Sequence, residues 1–250
     1  MFLKVIACEI AAREFYFAAA HSTNLVDLDF LTQGHHDTPA RGRAEIQERI
    51  DAVPEGKYDA IVLGYGLCSN ILLGLTTPHT RLVIPRAHDC ITFFLGSKER
   101  YRTCFDENPG TYYFTSGWLE CAKRRGQQGS IWGGAAVPAS ASLNLKAAYE
   151  AWVQKYGEEQ AKFLVEEMSR WSAAYSHGTL IDFEFLNHLK LDEQMRQICA
   201  DKSWEYSTIP GDLALLQNLV DGHWPDADVL IVPPGKKVTV TYDERVIGAA

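Results

Sequence analysis

Short apolar runs alternate with amphipathic stretches through the first half of the chain. Residues 2–7 form such a run, as expected of a strand buried on both faces of a parallel sheet. Residues 11–21 have helical periodicity, and residues 25–31 read as a second strand followed by the polar loop TQGHHDTP. A helix is predicted over 41–52, ending before Pro54, and a third strand over 58–63 runs into the glycine-rich GYGLCSN. A fourth strand at 81–84 leads into PRAHDC, a helix is expected over 91–104, and a fifth strand over 110–115. Repeated βα units of this kind predict an α/β fold with a Rossmann-like parallel sheet and helices on both faces.

The middle of the chain breaks the alternation. Residues 126–142 are rich in Gly, Ser and Ala and read as a loop. Residues 144–175 carry two helical stretches broken near Gly157, with Tyr149, Val153, Phe163, Leu164 and Met168 on an expected packing stripe. This helical insertion separates two α/β lobes. Alternation resumes with strands at 179–183, 204–209 and 228–232, and helices at 188–200 and 213–220. Asp212 is suited to the N-terminus of the latter helix. A Val/Thr alternation over 237–242 fits an edge strand or hairpin. The expected organisation is an N-terminal lobe over 1–125, a loop and helical hairpin over 126–176, and a C-terminal lobe over 177–250.

The 250-residue length suits this organisation and is long enough for a substantial core. The formal net charge of −8 argues against a general nucleic-acid or anionic-membrane binder, since phosphate contacts need clustered Lys and Arg. The one short basic cluster, Lys123-Arg124-Arg125, reads as a solvated turn. The opening MFLKVIACEI is too short to span a bilayer and reads as a buried strand rather than a secretory signal. The expectation is a cytoplasmic protein, in which six cysteines are not a disulfide framework.

Cysteine position then sharpens the picture. Cys8, Cys68 and Cys90 each follow a predicted strand beside polar or glycine-rich residues. In a parallel α/β sheet the C-terminal strand ends share one edge, where the ligand crevice lies. Cysteines distant in sequence can therefore meet there. Cys104, Cys121 and Cys199 fall in helices or at helix edges and are assigned to packing. Three thiolates suit zinc or an iron–sulfur cluster, and three protein ligands leave one coordination position open. His88, two residues before Cys90, is a further candidate ligand, and His36, after the second strand, a weaker one. The spacing contains neither CxxC nor HExxH, so this reading depends on the fold.

GYGLC admits two other readings. As a phosphate-binding GxGxxG it fails at the third position, Ser69. As a nucleophile elbow, Gly66-Leu67-Cys68 fits the first part, with Asn70 in place of the closing glycine. Cys68 as nucleophile with His88 beside Asp89 as base is the rival to a metal site. Around the same edge, Glu9, Tyr65, Arg86 and His36 are candidate substrate-binding residues. Arg86 suits either an anionic substrate or a structural salt bridge, and Trp118 either lines the pocket or packs.

At ACE (7–9), GYGLCSN (64–70), IPRAHDCITFFLGS (84–97), PGTYYFTSGW (109–118), YGEEQAKFL (156–164), PGDLALLQNLVDGHW (210–224) and VLIVPPG (229–235) the chain resembles the DUF1638 family, uncharacterised proteins of anaerobic bacteria and methanogenic archaea. In that family GLC is commonly followed by Gly-Asn-Gly, whereas Ser69 and Ile71 stand at those glycines here. Members are often encoded near corrinoid-dependent methyltransferase systems. The resemblance implies a link to one-carbon methyl transfer, with such a system as the expected partner. It does not imply that this chain binds corrinoid itself. Three function classes follow: a metal or iron–sulfur enzyme acting on a small molecule, a cysteine-nucleophile transferase or hydrolase, and a non-enzymatic accessory protein.

Overall fold

The computed structural model describes residues 1–33, 35, 38–124, 145–173 and 175–250. In chain order the elements are β1 (Phe2–Cys8), α1 (Ala12–His21), β2 (Leu25–Leu31), α2 (Pro39–Asp51), β3 (Ala60–Gly64), β4 (Leu82–Pro85), α3 (Ile91–Leu95), α4 (Lys98–Glu107), β5 (Thr111–Phe114) and α5 (Ser116–Arg124). There follow α6 (Leu145–Tyr156), α7 (Glu158–Ala173), β6 (His177–Asp182), α8 (Leu191–Lys202), β7 (Glu205–Pro210), α9 (Ala214–Asp221), β8 (Val229–Val232), β9 (Val238–Val240) and β10 (Ile247–Ala249). The fold is mixed α/β, with parallel strands flanked by helices. The loop expected over 126–142 lies outside the described residues. Two compact units emerge, Met1–Thr103 with Gly211–Ala250, and Cys104–Pro210. These boundaries differ from 1–125, 126–176 and 177–250 because β8 returns to pair with β4.

The first unit is built on a sheet of order β2-β1-β3-β4-β8. The first four strands are parallel, and β8 closes the β4 edge antiparallel. Continuous apolar sequence gives β3 and β4 burial at every position, as a sheet covered on both faces requires. Ile6, Ile61 and Leu63 share one core with Ile46 and Ile50 of α2. On the opposite face, Gly64 lies where any Cβ would come within 2.5 Å of Ala7 and 2.6 Å of the Phe15 ring of α1. α9 packs beside α1, and Gln217 Nε2 donates to Ala18 O at 3.3 Å. Fully burying each large aliphatic side chain contributes about 2 kcal/mol.

The helix expected over 91–104 is two helices. Gly96 has φ 82°, and the Asp212 side chain sits where its Cβ would be, 2.6 Å away. The Val/Thr run becomes a hairpin, with β9 and β10 pairing antiparallel and β9 also bonded to the loop at Gly74 and Leu75. Arg86 holds this hairpin. Buried at 4% exposure, it donates through Nε to Asp226 O (2.7 Å), through Nη2 to Asp226 Oδ1 (2.9 Å), and through Nη1 to Arg245 O (3.1 Å) and Ile247 O.

The second unit has a parallel sheet of order β5-β6-β7. Phe114, Leu180, Leu191, Met195 and Cys199 form its core with Leu119. Gly178 lets α8 approach β6, since a Cβ there would meet Cys199 Sγ at 2.4 Å. A 3-10 segment, Glu184–Leu189, and a left-handed Lys190 (φ 51°) replace the first turn of the helix expected from 188. α6 and α7 pack against each other with Trp152 and Ala161 buried, whereas Phe163 of the expected stripe is 60% exposed.

Replacing Arg86 by Met leaves buried carbonyl oxygens without their donor. Arg86→Met should lower unfolding stability by about 2–4 kcal/mol, read as a reduced denaturant midpoint, with amide protection at Ile247 among the first lost. An unchanged midpoint would contradict the pinning role.

Candidate functional site

The strand order reverses at one place in the first sheet. β1 leads through α1 to β2 on one side, and β2 leads through α2 to β3 on the other side of β1. Their crossover helices leave the sheet on opposite faces, and in open α/β sheets the ligand crevice lies beyond the carboxyl ends of the strands at such a point, here β1 and β3. Three of the cysteines gather around this edge. The pairing Ala7↔Gly64 sets Cys8, the last residue of β1, beside Tyr65, the first residue after β3. The segment after β3 then continues its pairing toward the segment after β4: Leu67 N–H donates to Ala87 O (2.8 Å) and Cys68 N–H to His88 O (2.9 Å). That ladder carries Cys68 alongside Cys90. All six cysteines carry thiols, and Cys8, Cys68 and Cys90 are each partly exposed.

Two local features set the Cys68 loop. Gly66 touches the neighbouring segment so closely that a Cβ would lie 2.7 Å from Asp89 Cα and 2.9 Å from Asp89 N. Cys68, Ser69 and Asn70 then take φ values of 37°, 57° and 65° in succession. The left-handed region costs an L-residue roughly 1–2 kcal/mol, with Asn the most tolerant of the three. The turn is held by Ile71 N–H donating to Leu67 O (3.0 Å) and by Arg43 Nη2 donating to Asn70 O (3.0 Å). Such strain persists where surrounding structure over-determines it, commonly at functional sites. Turns rather than a helix run from Cys68 to Gly74, so the strand-to-helix geometry of a nucleophile elbow is absent.

Burial and negative charge push the thiols of this edge the same way, while the charge of His88 acts in the opposite sense on Asp89. Burial pushes the Cys68 thiol up to about 12, the Asp89 carboxylate pushes the same way, and the backbone N–H groups of Gly66 and Cys90 oppose it. Burial raises the Cys90 thiol well above the usual range, followed by the charges of Cys68, Asp89 and Cys8. Burial also raises Asp89, against hydrogen bonds from Tyr101 Oη (3.0 Å) and Ile91 N (3.0 Å). Tyr65 is 4% exposed, and its hydroxyl finds no hydrogen-bond partner among the described residues. Its own pKa is raised by burial and then by Cys8, Cys68, Glu45 and Asp29.

The other sequence candidates divide. Glu9 Oε1 accepts Gln33 N–H at 2.9 Å, tying the end of β1 to the loop after β2. His88 is exposed, and its contribution to the Cys68 segment is a backbone carbonyl. Its imidazole is not among the groups acting on the Cys68 thiol, which is held protonated rather than activated. Arg86 is committed to Asp226 and the C-terminal hairpin. His36 lies outside the described residues. Trp118 packs with Tyr112 in the second unit, ring centroids 6.4 Å apart. Cys121 and Cys199 are buried, as assigned, whereas Cys104 is partly exposed. Sequence reasoning passed over Arg43 and Tyr101, whose roles depend on distant backbone and side-chain partners. Among the described residues, no group of three or more His, Cys, Asp and Glu side chains is oriented closely enough to hold a metal ion.

Two substitutions probe the loop. Ser69→Gly should stabilise the protein by about 1 kcal/mol by removing left-handed strain. Gly66→Ala should destabilise it by about 1–3 kcal/mol through overpacking against Asp89. Equilibrium denaturation reads both; equal midpoints for the two variants would refute the geometry.

No curated protein and no solved structure matches the chain. No helix among the described residues is long and apolar enough to cross a membrane. Residues 30–220, most of the chain and including the Cys68 and Cys90 segments, match the model of a protein of unknown function, and the chain belongs to that family, DUF1638.

Proposed function

We propose that the crevice beyond β1, β3 and β4 binds a soft metal centre, a zinc ion or an iron–sulfur cluster, through Cys8, Cys68 and Cys90. The observation that carries this reading is the meeting of three thiol-bearing segments at the switch point of the sheet, with Cys68 bonded along the Cys90 segment. The donor chemistry supports it. Soft thiolates select zinc and iron–sulfur centres. Thiolates here would repel one another and the Asp89 carboxylate, and a bound cation turns each of those repulsions into attraction. The side chains as oriented do not form a ligand group. Binding therefore requires the cysteines to turn about Cα–Cβ, a change between staggered rotamers.

Cys8, Cys68 and Cys90 would hold the metal through three thiolates, and a metal bound there would supply Lewis-acid chemistry to the thiol, hydroxyl or carboxylate of a small molecule. The link to corrinoid-dependent methyl transfer rests on the family resemblance, and a thiol-activating centre is the chemistry that would serve it. A Cys68 nucleophile is less well supported, because burial holds that thiol protonated up to about 12.

Anaerobic purification followed by metal and sulfide analysis tests the proposal. The wild type should carry or take up zinc, or iron with sulfide, and each of Cys8→Ser, Cys68→Ser and Cys90→Ser should weaken binding at least tenfold. A wild type that is colourless, metal-free and refuses added Zn²⁺ and reconstitution with iron and sulfide would overturn it. The pH dependence follows from the raised thiols. Each must release its proton to solvent as the metal–sulfur bond forms, so affinity should rise with pH through the neutral range and fall in acid. A metal titration between pH 6 and pH 8 checks the sign.

A further inference from the structure

β2 carries an inference that is independent of the cysteine edge. It is the outermost strand of the first sheet and pairs along all 7 of its residues with β1. Among the described residues its backbone has no other partner. Leu25 N–H donates to Met1 O at 3.0 Å, and the facing of backbone groups alternates along a strand. Leu25, Asp27, Asp29 and Leu31 therefore bond to β1, while Val26, Leu28 and Phe30 turn their N–H and C=O groups outward.

Natural sheets blunt an open edge with proline, lysine or a bulge. β2, with the sequence LVDLDFL, has none of these and keeps unbroken register with β1. Its two carboxylates are offset from within the sheet's own α2 face. Lys4 Nζ lies 3.3 Å from Asp27 and 3.8 Å from Asp29, and Arg49 Nη1 lies 3.3 Å from Asp29. Tyr58 Oη also donates to Asp27. On the α1 face Phe30 stacks on Tyr16, ring centroids 5.3 Å apart. Tyr16 at 60% and Leu25 at 70% exposure leave apolar surface in water beside the edge.

By residue class, LVDLDFL reads the same from both ends. Leu25 matches Leu31, Val26 matches Phe30, Asp27 matches Asp29, and Leu28 is the centre. A twofold axis at Leu28 that lays two β2 strands antiparallel makes use of this symmetry. Leu28 then exchanges both backbone bonds with its own copy, and Val26 exchanges both with the partner's Phe30. Every outward N–H and C=O group on both strands is paired, and any shift of register leaves some of them unpaired. Apolar side chains meet apolar ones. Each Asp27 faces the partner's Asp29, a like-charge pair that Lys4 and Arg49 of the two copies offset.

We propose that the protein forms a twofold dimer through β2, joining two copies of the first sheet into one continuous sheet. A second copy is the occupant because the strand is complementary to itself in both backbone and side chains. One pair of edge strands is a small interface, so the dimer should dissociate in the range of about 1–100 µM.

Sedimentation velocity of the full chain from below to above that range should show a dimer that grows with concentration. Residue-resolved hydrogen exchange then locates the contact. The Val26, Leu28 and Phe30 amides should exchange at least about tenfold more slowly in concentrated than in dilute protein. Those of Asp27 and Asp29, bonded to β1 in either state, should not change. Val26→Pro removes an outward donor without breaking a bond to β1, and should weaken association at least about tenfold while the chain stays folded. A wild type that stays monomeric above the stated range would overturn the proposal and leave the edge to another occupant. A dimer with unchanged exchange at Val26, Leu28 and Phe30 would overturn it by placing the contact elsewhere, as would a folded Val26→Pro variant that associates like the wild type. Should that variant not fold, the exchange pattern of the wild type decides alone.

Discussion

Parallel pairing of β1 with β3, from Leu3↔Ala60 to Ala7↔Gly64, is the constraint on which the first unit depends. Because β2 occupies the other side of β1, this pairing forces α1 and α2 onto opposite faces and fixes the switch point between them. It demands a glycine at 64, where α1 and β1 leave no room for a Cβ. From that contact outward the geometry is determined. Cys8 at the end of β1 and Tyr65 just after β3 lie side by side, and the chain after Tyr65 runs three residues to Cys68 along the β4 side. It does so by hydrogen-bonding along residues 87 and 88, which seats Cys68 beside the Cys90 segment.

Closeness at that second contact has a cost. Gly66 lies against the Asp89 backbone, and the three residues that follow the ladder adopt left-handed conformations. The strain is sustained by the Arg43 guanidinium and the Ile71 amide on one side and the β4 segment on the other. At Ser69 a glycine would relieve it. Retaining a side chain in a left-handed turn makes this loop less stable and no less ordered in its contacts, the pattern expected where position matters more than local energy.

Much of this was legible in the sequence, for identifiable reasons. Strands β1 to β4 announce themselves because a sheet covered on both faces needs continuous apolar runs. Once the sheet is parallel, the positions of Cys8, Cys68 and Cys90 at one edge follow. What failed to show were decisions taken by distant residues. The expected helix over 91–104 is split because Asp212, more than a hundred residues on, fills the space beside Gly96. Arg86 could not be divided between substrate and structure until Asp226, Arg245 and Ile247 were found around it. Periodicity put Phe163 on a packing stripe, but α7 instead buries Ala161. The solitary hydroxyl of Tyr65 is likewise invisible in a sequence, since a tyrosine with and without an acceptor is written the same way.

The balance of charge bears on what the crevice can do. A catalytic cysteine is activated by a nearby cation or base that lowers its pKa. Around Cys68 and Cys90 the acting side chains are other thiols and Asp89, and burial reinforces them, so each thiol is driven toward its neutral form. An arrangement of that sign is poor for holding a lone thiolate or an anionic ligand.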